Sequence, residues 1–194
     1  GTSFTMIWKH SDGSEQNRTR VQTMLLGEHN IQNILLAAAV AREFDIRIET
    51  AALAASKMEP VEHRLELKHR NGLTVIDDAF NSNPVGAKNA LDVLGSFVSG
   101  KKFVITPGMI ELGEREDEMN EEFGRQIAKL KVDVAILVGD EQTAAIQRGI
   151  EETIPGETKV HVVESLFAAN DLLNELAAEG DVVLYENDLP DNYG

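Results

Sequence analysis

Residues 73–84 read Leu-Thr-Val-Ile-Asp-Asp-Ala-Phe-Asn-Ser-Asn-Pro, and residues 63–66 just upstream read His-Arg-Leu-Glu. An apolar run that closes on Asp77 and Asp78 predicts a strand with two carboxylates at its carboxyl end. A loop of short polar residues follows. Asn83 can then cap a helix and Pro84 fits the first helical position, so a helix is predicted over 84–97. In an open α/β sheet, ligands bind just beyond the carboxyl ends of the strands. Residues 77–84 are therefore the candidate site, with Arg64 as the basic residue entering the preceding strand. Side chains alternate along a strand, which puts Asp77 and Asp78 on opposite sides. Asp78 is assigned to the ligand and Asp77 to hydrogen-bonding support of the loop.

Working outward, Leu65–His69 reads as a strand joined to Leu73–Asp77 through Arg70-Asn71-Gly72, whose Asn-Gly is a hairpin signal. Strands at Lys102–Thr106, Val132–Val138, Lys159–Val163 and Val182–Tyr185 alternate with helices at Glu114–Leu130, Glu141–Gly149 and Ser165–Ala178, the last capped by Ser165. This alternation implies an α/β fold with a mostly parallel, doubly wound sheet. Residues 3–9 and 18–26 read as two strands around a polar turn. Asn30–Phe44 reads as a helix with Ile31, Ile34, Leu35, Ala38 and Ala41 on one face. A shorter helix follows at Thr50–Met58, capped by Thr50 or Glu49. Glu59-Pro60 breaks the chain and sets the expected domains at 1–59 and 60–194. The sequence opens in mid-pattern on Gly1-Thr2 and is expected to be a piece of a longer protein.

Of 194 residues, 18 are Lys or Arg and 33 are Asp or Glu, a formal net charge of −15. Phosphate neutralisation needs clustered cations, so this balance argues against general nucleic-acid binding. Cysteine is absent, which excludes disulfides, thiolate zinc sites and a thiol nucleophile. The longest apolar run, Ile34–Ala41, is too short to span a bilayer, and no signal peptide is visible, so a cytoplasmic protein with no membrane partner is expected. Gly95–Lys102 approaches a phosphate-binding loop, but it ends in Lys where Ser or Thr is required and runs from helix to strand, the reverse of the needed order. The acidic run 111–122 reads as a solvated helix start favoured by the helix dipole, not a metal site. Glu186, Asp188 and Asp191 read as an exposed acidic tail, with binding of an acceptor's ammonium group as the alternative.

Three segments carry a resemblance to the Mur ligases, the ATP-dependent amino-acid and peptide ligases of peptidoglycan synthesis. They are Gly27-Glu28-His29-Asn30-Ile31-Gln32-Asn33, His63-Arg64-Leu65-Glu66 and Asp77-Asp78-Ala79-Phe80-Asn81-Ser82-Asn83-Pro84, and they occur in the family's order. The resemblance implies that residues 60–194 are the family's Rossmann-like carboxyl-terminal domain. It implies that residues 1–59 are a truncated piece of its α/β ATPase domain. The text is most similar to members that join D-alanyl-D-alanine to a UDP-muramoyl tripeptide via an acyl phosphate, with ATP and Mg²⁺ as cofactors. The family's P-loop and metal ligands would lie upstream of residue 1, so the chain alone is expected to be inactive, with no catalytic residue or metal ligand of its own.

By the same resemblance, Asn30 and Asn33 lie near the adenine, Arg64 reaches the phosphates and Asp78 holds the ribose. Phe80, Asn81, Asn83 and Pro84 form the loop that closes on nucleotide and incoming amine. An amide suits adenine, and a forked, permanently charged guanidinium suits phosphate. Three departures bear on the acceptor. Phe80 stands where tyrosine is usual, Thr106–Glu114 lacks the aspartate of the family's G-D-M-x-E-L-G segment, and Tyr185–Asp191 replaces a basic K-G-S-R. A Mur-type ligase with another amino-acid acceptor, or a non-catalytic nucleotide- or partner-binding α/β domain, stays open on these residues.

Overall fold

In the computed structural model, which describes residues 1–80 and 82–187, the chain divides into two compact units. The first is Gly1–Val61 and the second begins at Glu62. In the first, strands β1 (Thr2–Lys9) and β2 (Glu15–Thr23) pair antiparallel, and helices α1 (Glu28–Glu43) and α2 (Ile48–Ser56) follow. Met6, Val21, Ile34, Ala38, Ile48, Ala52 and Ala55 form a small core. Only part of the apolar face expected on α1 is used: Ile34 and Ala38 are buried, whereas Leu35 is exposed. Helix α2 begins at Ile48, ahead of the expected Thr50, and its N-cap position is Arg47, with no side-chain cap bond. Neither Thr50 nor Glu49 caps it. Ile48 is fully buried, so packing rather than capping sets where this helix starts.

The second unit is a six-stranded sheet flanked by helices. Its elements are β3 (Glu66–Arg70), β4 (Leu73–Asp78), α3 (Pro84–Gly95), β5 (Lys102–Thr106), α4 (Glu116–Lys129), β6 (Val134–Val138), α5 (Asp140–Thr153), β7 (Lys159–Val163), α6 (Leu166–Leu176) and β8 (Val182–Glu186). The strand order is β3-β4-β8-β5-β6-β7. β3 and β4 form the expected antiparallel hairpin, and every other pairing is parallel. The α/β sheet read from the sequence is borne out. Phe103, Ile105, Val134, Ile136, Val138 and Val183 form one packed face with Ala169 and Leu173 of α6. The alternate residues Ile76, Val104, Ala135, Leu137 and Leu184 are also buried, on the face where α3 packs against β4 and β8. Burial on both faces accounts for the near-continuous apolar runs of these strands.

One glycine was misread as a helix end. Gly149 lies inside α5, which continues to Thr153. A Cβ on Gly149 would fall 2.0 Å from the Glu121 carbonyl of α4, and one on Gly124 would fall 2.1 Å from the Ile146 carbonyl. The two glycines let α4 and α5 cross backbone to backbone. The expected helix from Glu114 begins instead as a 3₁₀ turn at Gly113–Arg115, with α4 proper starting at Glu116.

Candidate functional site

The last strand in sequence, β8, is inserted between β4 and β5, so the carboxyl ends of three parallel strands meet there. Asp78 stands opposite Glu186 in the β4–β8 register, and Ile105 of β5 stands opposite Tyr185. The chain leaves β4 through Ala79 and Phe80 and enters α3 at Asn83. The Asn83 Oδ1 accepts from the backbone N–H groups of Val85 and Gly86, at 3.1 and 3.0 Å, with Pro84 at the first helical position. Asn81 lies outside the described residues.

Arg64 is presented by an unusual backbone. Its neighbours His63 and Leu65 both have left-handed conformations, φ 59° and 48°. Such residues cost free energy and cluster where surrounding structure and function over-determine them. Here the Leu65 side chain is buried and its N–H donates to Asp78 Oδ1 at 2.9 Å. The Phe80 N–H donates to the His63 carbonyl at 3.1 Å. These bonds set the Arg64 guanidinium over the Phe80 ring, 4.4 Å from its centroid. Phe80 is half exposed. Among the described residues no carboxylate pairs with Arg64, so neither Glu62 nor Glu66 neutralises it.

Asp77 and Asp78 lie on opposite sides of β4 and have different partners. Asp77 Oδ2 lies 2.7 Å from Lys68 Nζ and 3.0 Å from His63 Nδ1, and its Oδ1 accepts from the Ala79 N–H at 3.3 Å. Partial burial pushes its pKa up, but the Lys68, Ala79 and His63 bonds outweigh that and hold it below the ordinary carboxylate range. Its role is support of the hairpin and loop. Asp78 faces the side on which α3 packs, together with Glu186.

The sequence reading of Glu186 as an exposed acidic tail is overturned. Glu186 is fully buried. It accepts from the Ser82 hydroxyl, and from Thr106 Oγ1 at 3.0 Å. Burial pushes its pKa up to about 7, the two hydroxyl bonds oppose that, and the Asp78 charge adds to it. Asn187, also buried and left-handed at φ 70°, donates its N–H to the Asp78 carbonyl at 3.2 Å. Its Oδ1 accepts from the Ser82 N–H at 3.0 Å and its Nδ2 donates to the Gly108 carbonyl. Asp188 and Asp191 lie outside the described residues. Ser82, Thr106, Glu186 and Asn187 went unread as a group. The available signal was a single Glu ending a strand whose Val182–Leu184 is apolar on both faces, the mark of a central strand.

Residues 106–113 form the neighbouring wall. Asn120, buried on α4, accepts from the Met109 N–H at 2.8 Å and donates to the Met109 carbonyl at 2.8 Å. The acidic run on α4 is partly matched by cations, with Arg148 on Asp117 at 2.6 Å and Arg125 on Glu121 and Glu122. Among the described residues no group of three or more His, Asp or Glu is placed to hold a metal, and no helix is long and apolar enough to cross a membrane.

In the first unit, Asn30 lies in the first turn of α1 and donates through Nδ2 to the Leu26 carbonyl at 2.8 Å. Its Oδ1 takes no part in that bond. Asn33, one turn on, is exposed. The His29 Nδ1 is buried without a hydrogen-bond partner among the described residues.

Residues 63–185 match the Mur ligase, glutamate ligase domain family. The chain belongs to the Mur ligase family. This Mur ligase chain is 33% identical over 167 residues to the UDP-N-acetylmuramoyl-tripeptide–D-alanyl-D-alanine ligase of Bacillus subtilis (strain 168), covering 84% of the chain and 35% of the relative. It is 31% identical over 192 residues to the ligase of the same name from Mycobacterium leprae, covering 90% and 37%. It therefore spans a little over a third of the length of these relatives. Its fold is that of a MurF ligase from Thermotoga maritima solved in complex with ADP, with a TM-score of 0.76 at 20% identity, over 98% of this chain and 44% of that one. A MurF from Acinetobacter baumannii superposes with a TM-score of 0.73 at 23% identity, over 90% and 38%.

Proposed function

We propose that this chain is the carboxyl-terminal part of an ATP-dependent ligase that joins D-alanyl-D-alanine to a UDP-muramoyl tripeptide through an acyl phosphate. Residues from Glu62 onward form its mobile acceptor domain, and residues 1–61 are a piece of its ATPase domain. The single observation that carries the nucleotide role is Arg64, stacked on Phe80 at the carboxyl end of β4 and matched with no carboxylate among the described residues. A placed, uncompensated guanidinium suits phosphate oxygens. The Asp78 carboxylate, which accepts from the Leu65 N–H, is the group the family resemblance assigns to the ribose hydroxyls. Asn30 keeps its Oδ1 and Asn33 its exposed amide for adenine. These residues fit a nucleotide. Mg²⁺ would be held by the phosphates and by groups upstream of residue 1, and when bound it offsets phosphate charge.

The first unit supports the same reading. Leu36, Val40 and Phe44 form an exposed apolar stripe along α1, 67, 60 and 74% accessible. A stripe at i, i+4, i+8 is the pattern of a helix that packs against further structure. In the reaction, this chain's residues bind and orient the nucleotide. The upstream part supplies the phosphate-binding loop.

The experiment is ATP turnover by the full-length protein with UDP-muramoyl tripeptide, with and without D-alanyl-D-alanine. Dipeptide-dependent ADP release with a ligated product is expected. Turnover only with another amine, such as the D-glutamate named in a relative 28% identical from Caldanaerobacter subterraneus, keeps the ligase and changes the acceptor. No turnover with any amine overturns the reading in favour of a nucleotide- or partner-binding domain. Arg64→Ala should raise the KM for ATP about 10- to 100-fold, the loss of one charge-assisted contact. An unchanged KM would remove Arg64 from the nucleotide site.

A further inference from the structure

Asn187 touches three separate pieces of the candidate site. Its N–H holds the Asp78 carbonyl, where the β4–α3 loop begins. Its Oδ1 holds the Ser82 N–H, close to where that loop ends, and its Nδ2 holds the Gly108 carbonyl beyond β5. Glu186 completes the set by accepting both the Ser82 and the Thr106 hydroxyls beneath the loop. Neither residue reaches solvent, so neither meets a ligand directly.

We infer that Glu186 and Asn187 are positioning residues that clamp both ends of the β4–α3 loop and thereby fix Phe80 and the Arg64 guanidinium stacked on it. This clamp stands where Tyr185–Asp191 departs from the basic K-G-S-R of the family pattern. A lysine there would offer only donors to two hydroxyls, whereas a carboxyl group accepts from both, and the asparagine both donates and accepts. The left-handed backbone of Asn187 is what turns its amide back over the sheet edge. The raised pKa of Glu186 agrees with a group held by hydroxyls alone and facing one other charge, Asp78. The clamp itself stands on geometry within this chain; its consequence for ATP rests on the function proposed above.

Amide hydrogen exchange of this chain tests it. In Glu186→Ala, the Phe80 and Ser82 amides should exchange about tenfold faster than in the native protein, while β5 and β6 amides keep their protection. Ser82→Ala should move the same amides in the same direction. Glu186→Gln should stay near native, because the carboxamide oxygen accepts from the Ser82 hydroxyl and its NH₂ donates to the Thr106 oxygen. If Glu186→Ala does not fold, the Ser82→Ala and Glu186→Gln pair decides. Unchanged exchange at Phe80 and Ser82 in Glu186→Ala or, failing that, Ser82→Ala overturns the clamp. In the full-length protein, Ser82→Ala should raise the KM for ATP more than it lowers kcat, with Glu186→Gln near native. A loosened loop with unchanged ATP kinetics supports the clamp and counts instead against the nucleotide role of the loop.

Discussion

Asp77, the penultimate residue of β4, and Glu186, the last of β8, stand one residue apart in the register of neighbouring parallel strands, and their environments are opposite. Asp77 lies at a partly open rim and is met by an ammonium, an imidazole and a backbone N–H. Glu186 lies under the loop and is met by two hydroxyls, with another carboxylate nearby. The first is held below the ordinary carboxylate range and the second is pushed well above it. Charge next to a carboxylate, and its distance from water, decide the sign, and the residue type does not. One group locks a hairpin by ion pairing. The other holds a loop by accepting hydrogen bonds from two hydroxyls.

The largest effect that sharpens this contrast is the pH dependence of stability. A carboxyl whose folded pKa stands above its unfolded value favours folding below the unfolded value and loses that contribution as pH rises through the folded one. With Glu186 moved from 4.5 to about 7, stability should fall across that window by up to about 3 kcal/mol. Chemical denaturation at pH 5 and pH 8 measures it. Glu186→Gln should flatten the fall, and an equal slope in both proteins would place the titration elsewhere.

Asp77 should behave in reverse, more weakly. Its lowered pKa gives stability that is present above the ordinary carboxylate range and lost as pH drops through the folded value, below 3.8. Lys68 is 38% exposed at its side chain, so solvent screens the pair. Asp77→Asn should cost about 1 kcal/mol at pH 7 and remove the acid-side loss. If Asp77→Asn costs more than Glu186→Gln shifts, the two ends of the contrast exchange rank.

The smallest effect tests whether the rim is built for stability at all. Arg64→Ala should change stability by no more than about 0.5–1 kcal/mol, the worth of an exposed guanidinium on an aromatic ring. Thermal unfolding of the variant checks this. A loss of several kcal/mol would make Arg64 a structural residue and weaken its assignment to phosphate.

Much of the second unit was legible because its inner strands β5, β6 and β8 are buried on both faces and its turns carry Asn-Gly, Asn-Pro and Ser caps. The Asn83 cap and the placing of Asp77 and Asp78 on opposite sides of β4 follow from local rules, one residue from the next. The α2 start was misjudged because Ile48 burial overrides the cap signals of Glu49 and Thr50. The Gly149 stop was misjudged because a glycine can mark a close helix crossing as readily as an end. Ser82, Thr106, Glu186 and Asn187 were missed as a set because their contacts span up to 105 positions.

By itself the sequence determined the alternating α/β pattern, the hairpin before β4, the capped helix after it and the family's three motifs, all of which depend on neighbours within a few residues. Only the tertiary structure decided that β8 enters the sheet between β4 and β5. That insertion buries Glu186 and sets Asn187 against two loops. The order of strands is a property of how apolar faces pack, and no local rule states it. The same packing placed Glu186, one residue of an apparent acidic tail, beneath the β4–α3 loop.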